Sequence, residues 1–399
     1  MTSQPSNWPA VQHEELVWQF SDPDYVSARQ KATHKGPYLA SIPAEIANQA
    51  APTLSNETNI LVEEAISDIS RFDEEHITDL LPFSALLLRS EAAASSQIEN
   101  LTSSAKSLSI AEVSNDTSSN AKLIHNNVTA MKAAIALADQ LNTQSIINIH
   151  CQLLESHNPR IVGQWRNQQV WIGGTNVGPH LAEFVPPHHS RVNHLMEDLV
   201  AFMQRTDVSP FVQGALAHAQ FETIHPFPDG NGRTGRALIH SLFVANGLIT
   251  GVCIPFSAGL LSQTDKYFNA LTYYRNGNPE PMVKQLAIAT SEALINARKL
   301  AVNIKKTRDS WVESVKVRKG STAQKLLTLL IGQPAVTNKT VEEAFGVAPA
   351  NARSGIQTLV DLGVLQQAKS GKRNRVWIAK DVIAELDAFA ARSQKRGLQ

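Results

Sequence analysis

Residues 225–236 read HPFPDGNGRTGR and bring together an imidazole, a carboxylate, an amide, two guanidinium groups and three glycines. Pro226 and Pro228 must stop any helix that precedes them, because proline lacks the N–H and its ring clashes with the turn before it. Gly230 and Gly232 open backbone angles that other residues avoid. A new helix begins near Arg233. A tight loop entering a helix N-terminus presents unpaired N–H groups at the positive end of the helix dipole, which is an anion site suited to phosphate. Arg233 and Arg236, three apart, share a helix face, and their forks can each hold phosphate oxygens bidentately. Asp229 is a hard oxygen ligand beside that site, the arrangement Mg²⁺ uses when it also binds substrate phosphates. His225 supplies an imidazole, the side chain whose ordinary titration range suits taking a proton near pH 7. Together these groups fit phosphoryl-group chemistry, in which positioning and charge neutralisation carry most of the catalysis.

The stretch GNGRTG also fits the dinucleotide fingerprint GxGxxG. Its context excludes that reading, since a helix precedes it and no βαβ unit surrounds it. A merely structural glycine-rich loop would have no need of His, Asp, Asn and two Arg together.

The elements that must position these residues are mostly helical. Residues 209–224 and about 231–247 read as helices flanking the loop. ETNILVEEAISDISRF sets Ile60, Leu61, Ala65, Ile66 and Ile69 at helical spacing, and LPFSALLLRSEAAASSQIEN follows it. Further helices are predicted at 121–140, 143–156, about 261–275 and 280–303, and RVNHLMEDLVAFMQR restarts a helix after VPPHH. Residues 1–55 read as an extended arm with short turns. GQWRNQQVWIGG alternates through Val170 and Ile172 and ends in Gly-Gly, which predicts a hairpin strand. A charged, weakly patterned stretch at 304–321 marks a boundary. Beyond it AQKLLTLLI, TNKTVEEAFG and PANARSGIQTLVDLGVL read as three helices, and QQAKSGKRNRVWIA as strand-turn-strand. That is the order of a winged helix-turn-helix. No internal repeat or low-complexity tract is present.

The loop resembles the signature HPFx(D/E)GN(G/K)RxxR of the Fic family, with every defined position matched. The resemblance implies a mainly α protein: a Fic-type helical domain with a small β-hairpin flap, followed by the winged helix-turn-helix. It implies a protein adenylyltransferase that moves AMP from ATP to a Tyr, Thr or Ser hydroxyl of a target protein or of itself. His225 would be the base. Asp229 would hold Mg²⁺ against the phosphates. Asn231 and the amides from Gly230 to Arg233 would form the anion hole, in a phosphate-binding run of Gly230, Asn231, Gly232, Arg233, Thr234, Gly235 and Arg236. Arg233 and Arg236 would hold the β- and γ-phosphates, and Phe227 would anchor the loop in the core. GQWRNQQVWIGG resembles the family's flap, with Val170, Trp171, Ile172 and Gly173 near the nucleotide and an edge that pairs with the target by strand addition. Where the family often carries a Tyr-Tyr pair near the adenine, this chain has Lys266-Tyr267, which leaves Tyr267 to line the base pocket or to sit in the core. SSQIEN resembles the inhibitory motif (S/T)xxxE(G/N), with Ser95, Glu99 and Asn100 at the defined positions. Ser95 and Glu99, four apart, share a helix face, and the resemblance implies that Glu99 pairs with Arg236 at the γ-phosphate position. The domains this gives are 1–110, an N-terminal arm with the inhibitory helix region; 111–303, the Fic domain; and 321–390, the winged helix.

Alternatives on the same fold are transfer of UMP, phosphocholine or phosphate, and removal of AMP. Gly232 speaks for nucleotide transfer, because the toxin-type kinase branch carries Lys there. From another class stands a DNA-binding regulator that senses nucleotide. The wing residues Lys369, Lys372, Arg373, Arg375 and Lys380 could meet DNA phosphate, with Asn351 and Arg353 reading bases, or form the solvated face of a protein-binding module. The implied partners are thus ATP, a target protein, DNA or protein at the winged helix, and a second copy of the chain in a homodimer. His180, His188 and His189 lack a fitting Cys or acidic neighbour and read as loop polarity, not a metal site.

Composition bounds the rest. Lys plus Arg equals Asp plus Glu, 36 each in 399 residues, which argues against a whole-surface nucleic-acid or membrane binder. Only Cys151 and Cys253 are present, with no CxxC, which excludes a disulfide scaffold and fits a reducing compartment. The N-terminus lacks the basic and apolar blocks of a signal peptide. No run approaches the roughly 20 apolar residues of a membrane helix. A cytoplasmic protein is expected.

Overall fold

Helix dominates the computed structural model, which describes residues 8–20, 26–76, 81–114, 118–250, 252–368 and 375–394. In chain order the elements are β1 (Gln12–Val17), α1 (Ala28–Thr33), β2 (Pro37–Ile42), α2 (Asn56–His76), α3 (Leu81–Ile98), α4 (Ala105–Val113), α5 (Ser119–Ala136), α6 (Thr143–Leu154), α7 (Val192–Met203), α8 (Pro210–Ile224), α9 (Asn231–Ala245), α10 (Phe256–Ser262), α11 (Thr264–Arg275), α12 (Glu280–Ser314), α13 (Thr322–Gly332), β3 (Ala335–Val336), α14 (Asn338–Phe345), α15 (Pro349–Asp361), β4 (Leu365–Gln367), β5 (Trp377–Ala379) and α16 (Lys380–Gln394). No helix among the described residues is long and apolar enough to cross a membrane.

The chain packs as two compact units. The first comprises Met1–Val62, Ala133–Asn246 and Asp265–Gln285; the second comprises Glu63–Lys132, Gly247–Thr264 and Leu286–Gln399. Each unit thus draws on three segments that are not contiguous along the chain.

In the first unit α8 is the central helix, buried on every side from Phe211 to Ile224. Such a helix shows no apolar stripe, so its polar residues must find partners inside the core. Gln213 donates to the carbonyls of Phe202 and Arg205, and Gln220 donates to Ala44 O and accepts from the Tyr274 hydroxyl. Helices α7 and α9 pack on it. The N-terminal segment is not a plain arm. Strands β1 and β2 pair antiparallel from Gln12↔Ile42 to Val17↔Pro37. Tyr38, Ala40 and Val185 form a small core there, with Leu16, Trp18 and Trp171 against it. The pattern of β1 escaped the reading because only one face is half-buried and the strand reads QHEELV.

In the second unit α3 packs on α10, α13 and α16. The C-terminal segment gives four helices, α13 to α16, and an antiparallel sheet of order β3-β5-β4, one helix and one strand more than the sequence pattern predicts. It does not stand apart. Ala335, Ala368, Val376, Ile378 and Ile383 share one apolar cluster with Ile110 of α4, and Arg89 of α3 donates to Gly332 O while pairing with Glu112. Helix α12 runs unbroken to Ser314, past the end at 303 expected for it and into the charged stretch 304–321. Lys369, Lys372 and Arg373 of the expected basic wing lie outside the described residues.

Candidate active site

The site is built where α8 ends and α9 begins. Pro226 disfavours the α region for the residue before it, so the helix cannot run on through His225. His225 takes the left-handed conformation, φ 52° and ψ 61°, while its N–H still closes the helix on Phe221 O at 2.8 Å. For a non-glycine residue that conformation costs about 1–2 kcal/mol. Arg166 holds it in place. Its Nε donates to His225 O at 2.8 Å, its Nη2 to Ile224 O at 3.3 Å and Pro187 O at 2.6 Å, and its Nη1 to Gln168 O at 3.0 Å. Burial pushes this guanidinium down to about 10, which leaves it charged at neutral pH against the carbonyl end of α8.

The loop floor is equally fixed. The His150 ring stacks on Phe227, with centroids 3.7 Å apart and planes within 1°, and its Nε2 lies 2.9 Å from Asp229 O. A carbonyl only accepts, so Nε2 carries the proton. Burial lowers this imidazole to about 4, and it is neutral. The Asn231 side chain brackets Phe227, accepting from its N–H at 2.9 Å and donating to its carbonyl at 2.8 Å. Gly230 turns the chain into α9 with φ 81°, and a Cβ there would lie 2.9 Å from Leu153 Cδ2. Only glycine meets both demands.

Helix α9 opens on the cradle. Its first intrahelical bond runs from Thr234 N–H to Gly230 O at 3.0 Å, so the N–H groups of Asn231, Gly232 and Arg233 have no intrahelical acceptor. The Asp229 carboxylate accepts from Gly230 N–H at 2.6 Å and faces Arg233 Nη2 at 3.4 Å. Its side chain is 60% exposed, and Oδ2 makes no hydrogen bond to a described residue. A hard cation completed by phosphate and water fits that oxygen. No group of three or more His, Cys, Asp or Glu gathers for a metal among the described residues, so an all-protein cage is not built.

Behind the cradle lies a buried charge cluster. Arg236 is 1% exposed, and its Nη1 reaches the Tyr267 hydroxyl at 3.5 Å. That hydroxyl sits 2.8 Å from His218 Nε2. Burial lowers His218 to about 4, so it is neutral. Glu222, one turn before His225, places Oε2 3.6 Å from His225 Nδ1, a contact too long for a hydrogen bond and electrostatic in kind. Burial works to raise the Glu222 carboxyl, but the neighbouring His225 ring and, among the charges, the Arg236 guanidinium outweigh it and hold it at about 2. The carboxylate thus faces Nδ1 and favours a proton there, which leaves Nε2 as the basic nitrogen of His225.

Comparison with known proteins covers the same stretch of the chain. The model of the Fic/DOC family matches residues 140–243, and that of the Fic/DOC family N-terminal segment matches 61–136. Residues 140–243 form a Fic domain. The protein adenylyltransferase Fic of Drosophila willistoni is 29% identical over 180 residues, 43% of this chain and 33% of that protein. Its counterpart in Drosophila virilis is 28% identical over 180 residues, 43% of this chain and 34% of that one. The chain thus spans about a third of the length of these curated relatives. A solved Fic family protein from Desulfovibrio desulfuricans G20 shares the fold with TM-score 0.51 and 19% identity, covering 82% of this chain and 97% of that one.

Within the Fic domain the structure brings His225, Asp229, Gly230, Asn231, Gly232 and Arg233 together and sets Arg236 one turn on. Several roles differ from expectation. The Asn231 side-chain amide is engaged on both main-chain groups of Phe227 and serves the loop. Thr234 and Gly235 are wholly inside α9, and the Thr234 N–H is already spent on Gly230 O. Tyr267 is 1% exposed behind Arg236, and does not open into a pocket. The flap segment forms two isolated bridges, Ile172↔Phe184 and Thr175↔Gly178, and not a strand. Gly173 and Gly174, both at positive φ, turn the chain away, and the Trp171 indole donates to Thr175 O. Val170, Trp171 and Ile172 are half-buried and Gly173 is exposed.

Ser95 and Glu99 do not share a helix body, because α3 ends at Ile98. Leu101 N–H bonds Ser96 O at 3.0 Å and Asn100 N–H bonds Gln97 O at 2.9 Å, with Asn100 at φ 61°. That is a Schellman closure, with Glu99 as its cap residue and Asn100 in the left-handed position, where Gly and Asn are favoured. The alternation of Gly and Asn after the motif's Glu has this physical cause.

Sequence reasoning missed Glu222, Arg166, His150 and His218. Glu222 carried little signal, because only the structure shows that α8 buries every face and that an acid there must have a charged partner. Arg166 carried little, since its acceptors are carbonyls scattered from residue 168 to 225.

Proposed function

We propose that this chain transfers AMP from ATP to hydroxyl groups of proteins, with Mg²⁺ as cofactor. The observation that carries the reading is the continuous run from a positioned imidazole at His225 to a phosphate-binding helix N-terminus within one rigid loop. The acceptor hydroxyl gives its proton to His225 Nε2 as its oxygen bonds to the α-phosphorus. The bond from that phosphorus to the bridging oxygen breaks, and diphosphate leaves with the electron pair. Glu222 stabilises the imidazolium that results. The first amides of α9 and the guanidinium of Arg233 hold phosphate oxygens, and Arg236 reaches a more distant phosphate. Asp229 would hold Mg²⁺, which supplies charge neutralisation for the phosphates when bound. The names of the Drosophila relatives support the reaction class.

The test is incubation of protein and lysate with ATP labelled at the α- or γ-phosphate. Label should pass from the α position only, and His225→Ala should slow it about 10²–10⁴-fold while ATP still binds. Transfer from the γ position, or an unslowed variant, would overturn the assignment. The same reading makes Glu99 a brake on transfer, supported by the motif Ser95–Asn100 and the fixed cap that presents it. Glu99→Gly, which suits the cap geometry, should raise self-labelling; equal or lower labelling by the folded variant would remove Glu99 from regulation.

A further inference from the structure

The charge balance of the chain is zero, yet its basic residues are not evenly spread. A cleft of about 700 Å³ lies between residues 316–325 and the N-terminal half of α15. Lys316, Arg318, Lys319 and Lys325 line it, no acidic side chain does, and Arg353 stands exposed on the same helix. None of these five cations makes an ion pair with a described residue. Their closeness to α15 has a structural cause. Gly355 lets α15 approach the start of α13 so tightly that a Cβ there would meet Thr322 Cγ2 at 2.8 Å. This seats the basic segment flush against the helix.

The exposed face of α15 settles what kind of polyanion fits. Asn351, Arg353, Ser354 and Gln357 point outward, and no large apolar side chain is exposed on Pro349–Asp361. A protein-docking face would centre on buried aromatic or aliphatic anchors, and there are none here. Amide, hydroxyl and guanidinium groups on a helix instead match the donor and acceptor pattern of base edges in a major groove. A third helix set beside an antiparallel sheet is presented as such a reader in winged helix-turn-helix proteins.

We propose that this cleft and face form a binding surface for double-stranded DNA, in which Lys316, Arg318, Lys319 and Lys325 hold backbone phosphates and Asn351 and Arg353 enter the major groove. The surface differs from the expected basic wing at 369–380. It stands independently of the transfer reaction, since every residue in it lies outside the Fic domain.

Fluorescence anisotropy of an end-labelled duplex with the full-length chain tests it. Binding should be present at 50 mM salt and fall steeply with salt, with a slope of log K against log salt near about −4 for four or five neutralised phosphates. R318A with K319A should reduce the slope by about 2 and weaken all sequences alike, because phosphate contacts carry no sequence information. R353A should weaken binding and relax any sequence preference. All three positions are exposed, and an unchanged melting temperature confirms the fold of each variant. No retention of duplex at 50 mM salt, retention unaffected by the R318A/K319A pair, or a stronger affinity for single-stranded RNA than for duplex would each overturn the proposal.

Discussion

Glu222→Gln isolates the acidic group that faces His225. The substitution keeps shape and removes charge. In the wild type the carboxylate is ionised throughout the working range, held at about 2. It lies 3.6 Å from His225 Nδ1. At that spacing and an effective dielectric near 20, Coulomb's law gives on the order of 4 kcal/mol between unit charges. The His225 side chain is 19% exposed, so solvent screens part of this, and a surviving 1.4–2.7 kcal/mol is a reasonable working range, about 10–100-fold in rate. The interaction becomes one between full charges once the ring has taken the proton, so the loss falls mainly on kcat. Affinity for ATP should not fall, since Glu222 also faces the Arg236 and Arg275 guanidinium groups and its removal leaves them more open to an anion. The assay is α-label transfer at saturating and subsaturating ATP. A merely structural Glu222 would lower melting temperature and leave kcat per folded molecule unchanged. A kcat within twofold of wild type in a folded variant would refute the role, and a rise in KM with intact kcat would reassign it to substrate binding.

Acid should destabilise the fold through two buried imidazoles. His150 and His218 are held at about 4, against an ordinary 6.5, so both are neutral when folded while the unfolded chain takes protons below 6.5. Each therefore costs stability as pH falls from 6.5 to 4, by about 3 kcal/mol at most. Melting temperature should be level above pH 7 and drop through that window, less so in His150→Gln; a level profile to pH 4.5 would contradict the burial argument. Gly230→Ala should lose stability and ATP binding together, because it combines a positive φ with a contact at 2.9 Å, and retention of ATP binding by calorimetry would show the loop tolerates the strain. Removing residues 321–399 should destabilise the unit that carries α3, since it uncovers Ile110 and its cluster. Exposing that one side chain costs about 1.5–3 kcal/mol, and an unchanged melting transition for the remainder would mean the C-terminal segment is a free-standing domain after all.

What the sequence disclosed and what it hid follow from how local each interaction is. The cradle was legible because its parts sit within twelve consecutive residues, and glycine, proline, acid and arginine each impose their own backbone or charge requirement. The supports were hidden because they come from afar: His150 reaches Asp229 across 79 positions, and Arg166 reaches His225 across 59. Helix α8 hid Glu222 for another reason, since a helix buried on all sides has no stripe from which an inward acid stands out. The C-terminal segment was legible as a set of elements, each with its own cap or period, but not as a neighbour of α3 and α4, because the burial of Ile110 and Ile378 in one apolar cluster leaves no trace in either segment's pattern.

The cap at Glu99 joins these two kinds of information. The motif SSQIEN is readable as a string, but its final Asn gains meaning only from φ 61° at Asn100 and the bonds from Leu101 and Asn100 back to Ser96 and Gln97. Those bonds stop the helix at Ile98 and fix the backbone at Glu99 without using its side chain. Because the cap's own bonds are main-chain bonds, changing Glu99 to glycine leaves them in place, and glycine is at ease at a helix end. Any change in labelling by Glu99→Gly would therefore report on the carboxylate and not on a collapsed helix terminus, which is what makes that variant a clean probe of regulation.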